Sequence, residues 1–169
     1  KYYAYISKKA HDGYRDNEHT SSDAENIALT WEPSSKFSVK MEWARSQYQY
    51  RIPGSLTDSM FYAGPTQATR SRNYFSPDIH VPSVVLNWQI ARATKIQLTS
   101  SAILGDRSSV QYDKPTNVPD TINPITMQYN NRQVDIDRFH SYTTELRIFQ
   151  QYRLGRYTSS LVAGLQYMN

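Results

Sequence analysis

The sequence predicts an all-β fold, an antiparallel transmembrane β-barrel segment of about seven strands, on three observations. Apolar side chains recur with period two, the inferred strands run about nine to thirteen residues, and short and long connections alternate along the chain. Soluble strands usually stop at about five or six residues, whereas a tilted strand crossing hydrocarbon needs about nine to eleven. Short turns at one rim and long loops at the other describe an outer-membrane barrel with short periplasmic turns and long extracellular loops.

Lys1 to Lys9 reads as an opening strand whose tyrosines leave its face assignment open. Glu25, Ile27, Leu29 and Trp31 then alternate with Asn26, Ala28, Thr30 and Glu32. Phe37, Val39, Met41 and Trp43 alternate with Ser38, Lys40, Glu42, Ala44 and Ser46. Only Pro33-Ser34-Ser35-Lys36 separates these two runs, which makes them a hairpin. A second hairpin sets Val84, Leu86, Trp88 and Ile90 before Arg92-Ala93-Thr94 and a strand from Lys95 to Gly105, with Ile96 and Leu98 in phase. In the third, Leu146 and Ile148 oppose Glu145 and Arg147, the chain turns at Leu154-Gly155-Arg156, and Leu161, Ala163, Leu165 and Tyr167 share one side of the last strand. The short connections fall at 33–36, 92–94 and 151–156 and the long ones at about 11–23, 48–82 and 106–140. All eight prolines are expected in connections, because a proline inside a paired strand lacks a ladder donor. Trp31, Phe37 and Tyr157 beside short turns, with Trp43 and Tyr167 farther along, match interfacial girdles.

Composition narrows the function classes. Of the 169 residues 38% are hydrophobic, and 14 of the 22 aromatic rings are Tyr, which argues against disorder. Mean hydropathy is −0.70, which excludes membrane helices but not barrel strands, whose alternation averages out as polar. The absence of Cys removes disulfides, thiolate metal sites and Cys nucleophiles. Net charge is +4, but the 19 Lys and Arg are scattered among 15 acidic residues, so no nucleic-acid partner is expected. Neither a Gly-x-Ser-x-Gly elbow, a phosphate-cradling Gly-rich loop nor a pair of catalytic carboxylates is present, and no enzymatic activity is expected. The opening Lys1-Tyr2-Tyr3-Ala4-Tyr5 has no initiator Met and no signal-peptide pattern, as in a processed or partial sequence.

Two stretches carry a family resemblance: Pro53-Gly54-Ser55-Leu56-Thr57-Asp58-Ser59-Met60-Phe61, and Gln67-Ala68-Thr69-Arg70-Ser71-Arg72-Asn73-Tyr74-Phe75, with Asn131 to Arg138 in support. The chain resembles the barrel region of TonB-dependent outer-membrane receptors of the ferric citrate type. There a Pro-Gly-Gly-Leu-Thr-Asp-x-x-Phe stretch precedes a Thr-Arg-x-Arg-Asn-x-Phe stretch. Ser55 stands where that pattern has its second Gly, which leaves the turn geometry open. The resemblance implies a 22-stranded barrel with a plug domain inside it and a TonB box, neither of which the sequence shows. Residues 1–169 are then a partial barrel domain, since an incomplete set of strands cannot close in hydrocarbon. It further implies TonB as energy-coupling partner, outer-membrane lipid and lipopolysaccharide as surroundings, and an iron(III) chelate, citrate or another siderophore, as cargo, with no resident cofactor.

Arg70 and Arg72, two apart, would project from one side of an extended segment and suit a polycarboxylate chelate; alternatively they hold the loop to the barrel wall or pair with lipopolysaccharide phosphates. Asn73 and Tyr74 are candidates for the same surface. Tyr48, Tyr50 and Tyr62 could stack on a ligand or pack the rim's own loops. Asp135 and Asp137 could serve a divalent ion or, with Arg132 and Arg138, a salt-bridge ladder. Lys40, Glu42, Glu145 and Arg147 are expected to line the lumen and meet the plug. His11, His19, His80 and His140 lack metal-site spacing and are expected in loops. The competing reading is a soluble β-sandwich module that binds carbohydrate, with Trp31 and Trp43 in its core. A barrel of the same family carrying other cargo is the third.

Overall fold

The computed structural model describes residues 1–169. Seven strands lie in one sheet in chain order, each antiparallel to the next. They are β1 (Tyr2–His11), β2 (Thr20–Ser34), β3 (Phe37–Arg51), β4 (Tyr74–Ala91), β5 (Thr94–Gln111), β6 (Gln133–Leu154) and β7 (Tyr157–Met168), with one short helix, α1 (Asp58–Ala63), between β3 and β4. The three short connections are two-residue turns, and Gly155 takes the left-handed conformation, φ +62°, in the last of them. All long connections lie at the opposite end. No helix is long and apolar enough to cross a membrane, which says nothing of crossing by strands.

The predicted alternation is present, and the register carries it across strands. Trp31 lies opposite Val39, Val39 opposite Leu86, Leu86 opposite Leu98, Leu98 opposite Leu146 and Leu146 opposite Leu165, one apolar row over six strands. The other face carries Thr30, Lys40, Val85, Thr99, Glu145 and Gln166 in the adjacent row. On the apolar face Phe37 meets Trp31 edge-on at 6.0 Å and Trp88 at 6.4 Å, an aromatic row beside the short turns. Toward the long loops Trp43 lies over His80 at 5.7 Å.

Residues 1–169 form one sheet with no second sheet upon it, so they do not make the sandwich by themselves. In a sandwich the apolar face would be covered; here Trp31 is 61% and Leu165 75% exposed, and only nine of 169 residues are buried. Trp31 and Trp43 are not core residues. The sheet is also open, with β1 and β7 each paired on one edge only.

Five of the seven strands, β2 to β6, exceed the expected lengths, reaching 22 residues in β6, and the long connections shrink to 12–19, 52–73 and 112–132. Beyond Trp43 the apolar face turns polar with Arg45, Asp78 and His80, so both faces look alike and the period-two signal fades while pairing continues. The proline expectation fails for the same elements: Pro33 lies in β2 and Pro77 and Pro82 in β4. Each is accommodated by an interruption. The register shifts between Trp31 and Ser34, the β3–β4 ladder skips Pro77, and the β4–β5 ladder skips Pro82.

Gly105 is indispensable in β5 for a separate reason. Its φ is +148°, and a Cβ there would stand 2.0 Å from the Asp78 carbonyl oxygen of the paired strand. Because backbone cannot yield cheaply, Gly105→Ala is expected to destabilise the β4–β5 pairing by about 2 kcal/mol or more, read as a lower denaturant midpoint of the full-length protein.

Candidate functional site

The three long connections meet at one rim, and Arg70 holds them together. Its backbone N–H and that of Thr69 donate to the Pro53 carbonyl at 3.0 and 2.9 Å. Gly54, at φ +81°, lies so close to the Arg70 stem that a Cβ would come within 2.6 Å of its Cγ. The two sequence stretches that carry the family resemblance thus fold onto each other. Thr57 caps α1, its hydroxyl accepting from the Met60 N–H at 3.3 Å, with Asp58 in the first turn. Ser55 needs no left-handed conformation; its hydroxyl contacts that of Thr116 at 2.7 Å, tying the 52–73 loop to the 112–132 loop.

The Arg70 guanidinium is spent on backbone. It donates to the carbonyls of Tyr112 at 3.1 Å, Thr69 at 2.9 Å, Pro115 at 3.2 Å and Val118 at 3.4 Å, and to that of Lys114. Only 5% of the residue is exposed, and its guanidinium lies over the Tyr112 ring at 5.2 Å. Asn73, 6% exposed, accepts from the Tyr112 N–H at 2.8 Å and from Arg132 at 3.0 Å through the same oxygen. Arg132 also pairs with Asp120 at 2.5 Å, whose other oxygen accepts from the Ser71 N–H at 2.9 Å. Asn17, from the first long connection, donates to the Arg70 carbonyl at 2.8 Å.

Of the expected ligand residues, Arg70 and Asn73 are buried among loop partners, and Arg70 ties the 52–73 loop to the 112–132 loop rather than to the barrel wall. Arg72 does not share a side with Arg70: the chain bends at Ser71 and Arg72, and the exposed Arg72 guanidinium lies 4.6 Å above the Tyr129 ring. Tyr74 opens β4 on the face that carries Val84 and Leu86, while Tyr48 and Tyr50 lie on the opposite face of β3, so the structure separates them. Tyr48 and Tyr50 stack at 6.2 Å and meet Phe75 at 6.2 and 5.3 Å, with Arg107 above Phe75 at 5.6 Å. Tyr62 is exposed on α1, edge-on to Phe61.

Asp137 pairs with Arg107 and Asp135 accepts from the Gln133 amide at 3.0 Å, so the expected partners Arg132 and Arg138 are replaced. Arg132 is drawn off to Asp120, and Arg138 lies on the other face opposite Asp106. No three His, Asp or Glu side chains gather as a metal-binding group. His80 and His140 are in strands rather than loops, and His11 ends β1. Lys40 pairs with Glu42 at 2.6 Å, Glu145 with Arg147 at 2.6 Å, and all four share the polar face.

Tyr112, Asp120, Tyr129, Phe75 and Arg107 escaped the sequence reading. Each acts through partners 30 or more positions away or through a ring stack, and nothing local marks them. The signal that existed was the motif Thr-Arg-x-Arg-Asn, whose first Arg and Asn are both hub members.

Burial alone would raise the Asp120 carboxyl. The Ser71 N–H, the Arg132 guanidinium and the Ser71 hydroxyl outweigh it and hold the carboxyl below the ordinary 3.8. A depressed folded value means the carboxylate stabilises the hub fully above the ordinary range and loses that contribution as pH falls through the lowered value. Nicking of the 112–132 loop by pepsin is expected to accelerate as pH drops from about 5 to about 2, relative to Asp120→Asn, in which the hub is already loosened at pH 5.

Comparison with known proteins adds a likeness of fold. No protein-family model matches the sequence, and no curated protein matches it. Among solved structures the ferric citrate transporter FecA in the unliganded form is similar, with a TM-score of 0.73 and 13% identity. The match covers 99% of this chain and 25% of that one, so the chain spans about a quarter of that structure's length. At this identity the likeness is one of architecture: the seven-stranded sheet resembles part of a transporter barrel.

Proposed function

We propose that residues 1–169 form part of the barrel wall of a bacterial outer-membrane receptor that takes up an iron(III) chelate, citrate-like in charge, by TonB-dependent transport. The observation that carries this reading is the apolar face: a continuous row from Trp31 to Leu165, bounded by aromatic side chains and left uncovered by any second layer. In water such a face is a liability; against lipid it is the expected outer surface. The polar opposite face and the likeness to a transporter barrel support the same reading.

In this reading the long loops are extracellular and the two-residue turns periplasmic. Further strands pair with β1 and β7, because unpaired edges cannot stand in hydrocarbon. Exposed Arg72 and the Tyr48–Tyr50 stack contact the chelate, while Arg70 and Asn73 keep the loops in place around it. Lys40, Glu42, Glu145 and Arg147 face the plug. Transport is binding followed by gating, with no bond made or broken.

The test is uptake of radioactive ferric citrate by cells that carry the full-length protein, with and without TonB, beside binding of the same chelate to the detergent-extracted protein. Saturable binding that falls at least about tenfold in the Arg72→Ala, Tyr48→Ala double variant, with uptake that requires TonB, is the expected result. Binding of another siderophore, cobalamin or an oligosaccharide in place of ferric citrate would keep the barrel and replace the cargo. Recovery of the protein in the water-soluble fraction would sink the barrel itself.

A further inference from the structure

Five side chains at the loop rim alternate cation and ring. The Arg70 guanidinium lies 5.2 Å from the Tyr112 ring, that of Arg132 5.7 Å from Tyr112 and 5.5 Å from Tyr129, and that of Arg72 4.6 Å from Tyr129. The ladder runs from the buried hub outward, since Arg70 is buried and Arg72 exposed. Of its three cations only Arg132 has a carboxylate partner, Asp120. Arg70 is spent on carbonyls, and Arg72 takes part in none of the ion pairs. The outer end of the ladder therefore presents an unneutralised guanidinium stacked on a ring.

Tyr129 does not depend on Arg72 for its place. It pairs with Ile122 across a closed turn, in which the Asn123 N–H donates to the Gln128 carbonyl at 2.9 Å and the Met127 N–H to the Asn123 carbonyl at 2.8 Å. The Asn123 side-chain oxygen accepts from the Ile125 N–H at 2.9 Å. Arg72, by contrast, is a long side chain on an exposed bend, and without the ring it would spread over many rotamers and lose that freedom on binding. Stacking covers the face of the guanidinium and leaves its in-plane donors free, the geometry that grips a carboxylate through two parallel hydrogen bonds.

We infer that Tyr129 is the positioning residue that holds the Arg72 fork ready for a carboxylate of the chelate. The inference rests on the reading that Arg72 contacts the cargo. Tyr129 acts on affinity alone, and its whole effect passes through Arg72. Its hydroxyl has no part, because the stack needs only the ring face; Phe serves there and Leu does not.

Equilibrium binding of ferric citrate to the detergent-extracted full-length protein tests it, comparing the parent with Arg72→Ala, Tyr129→Leu, Tyr129→Phe and the Arg72→Ala, Tyr129→Leu double variant. Tyr129→Leu is expected to weaken binding about fivefold, Tyr129→Phe to stay within about twofold of the parent, and Tyr129→Leu to add less than about twofold once Arg72 is alanine. Three outcomes overturn the inference and leave the chelate reading standing: a full Tyr129→Leu effect in the Arg72→Ala background, an equal loss in Tyr129→Phe, or parent-like binding by Tyr129→Leu beside weakened binding by Arg72→Ala. Binding that Arg72→Ala does not weaken, or no ferric citrate binding by the parent, overturns the contact between Arg72 and this chelate and the inference with it.

Discussion

Replacing Arg70 by alanine is expected to free the 112–132 loop from the rim and cost about 3 kcal/mol of local stability. The side chain is buried, and its removal takes the donor from the carbonyls of Thr69, Tyr112, Lys114, Pro115 and Val118, of which that of buried Tyr112 has the least water to turn to. Unsatisfied buried acceptors cost about 1–3 kcal/mol each, but the loop relaxes and recovers most of that from solvent, which leaves the smaller net figure. Hydrogen exchange reads it directly. The Ser71, Tyr112 and Val118 amides, all bonded within or beside the hub, should lose about 100-fold of protection. Arg70→Lys keeps the charge but offers three donors from one nitrogen, which cannot span this arc of carbonyls, so it should recover only part of the protection. Unchanged protection in Arg70→Ala with weakened chelate binding would instead assign the guanidinium to the ligand.

In the proposed barrel, Leu98→Arg is expected to cost about 2–4 kcal/mol of folding stability in lipid and to lower the amount of protein reaching the outer membrane. Leu98 sits mid-row between Leu86 and Leu146 on the apolar face, where a guanidinium would meet hydrocarbon. Thr99→Arg, one residue on, points to the opposite face beside Val85 and Glu145 and should stay within about 0.5 kcal/mol of the parent. Denaturant titration in lipid vesicles measures both. Equal effects from the two substitutions would contradict a lipid-facing apolar side, because a sheet with one face in hydrocarbon penalises a charge on that face alone.

Much of the architecture was legible without coordinates. Ile27, Leu29, Met41, Trp43, Val84 and Leu86 alternate with polar neighbours, and alternation is a local property that survives whatever the rest of the chain does. The short turns follow from the same reading, because two in-phase runs a few residues apart have little choice but to pair. Strand ends were less legible. Arg45, Asp78 and His80 give the upper apolar face the same polarity as its reverse, and Pro77 and Pro82 look like stops when the ladder in fact steps around them. The helix at Asp58–Ala63 is too short to show a period.

The loop rim divides along the same line. Arg70 and Arg72 are two apart, so an extended segment would send them the same way, yet the bend at Ser71 turns one inward and the other to solvent. Sequence alone determined the order of strands, which end holds the long loops and which face is apolar, because each depends on residues within a few positions of one another. Only the tertiary structure decided that Arg70, Asn73, Tyr112, Asp120 and Arg132 meet, since buried polar groups are satisfied by whatever partners the packed sheet brings within reach, and those partners lie up to 59 positions apart.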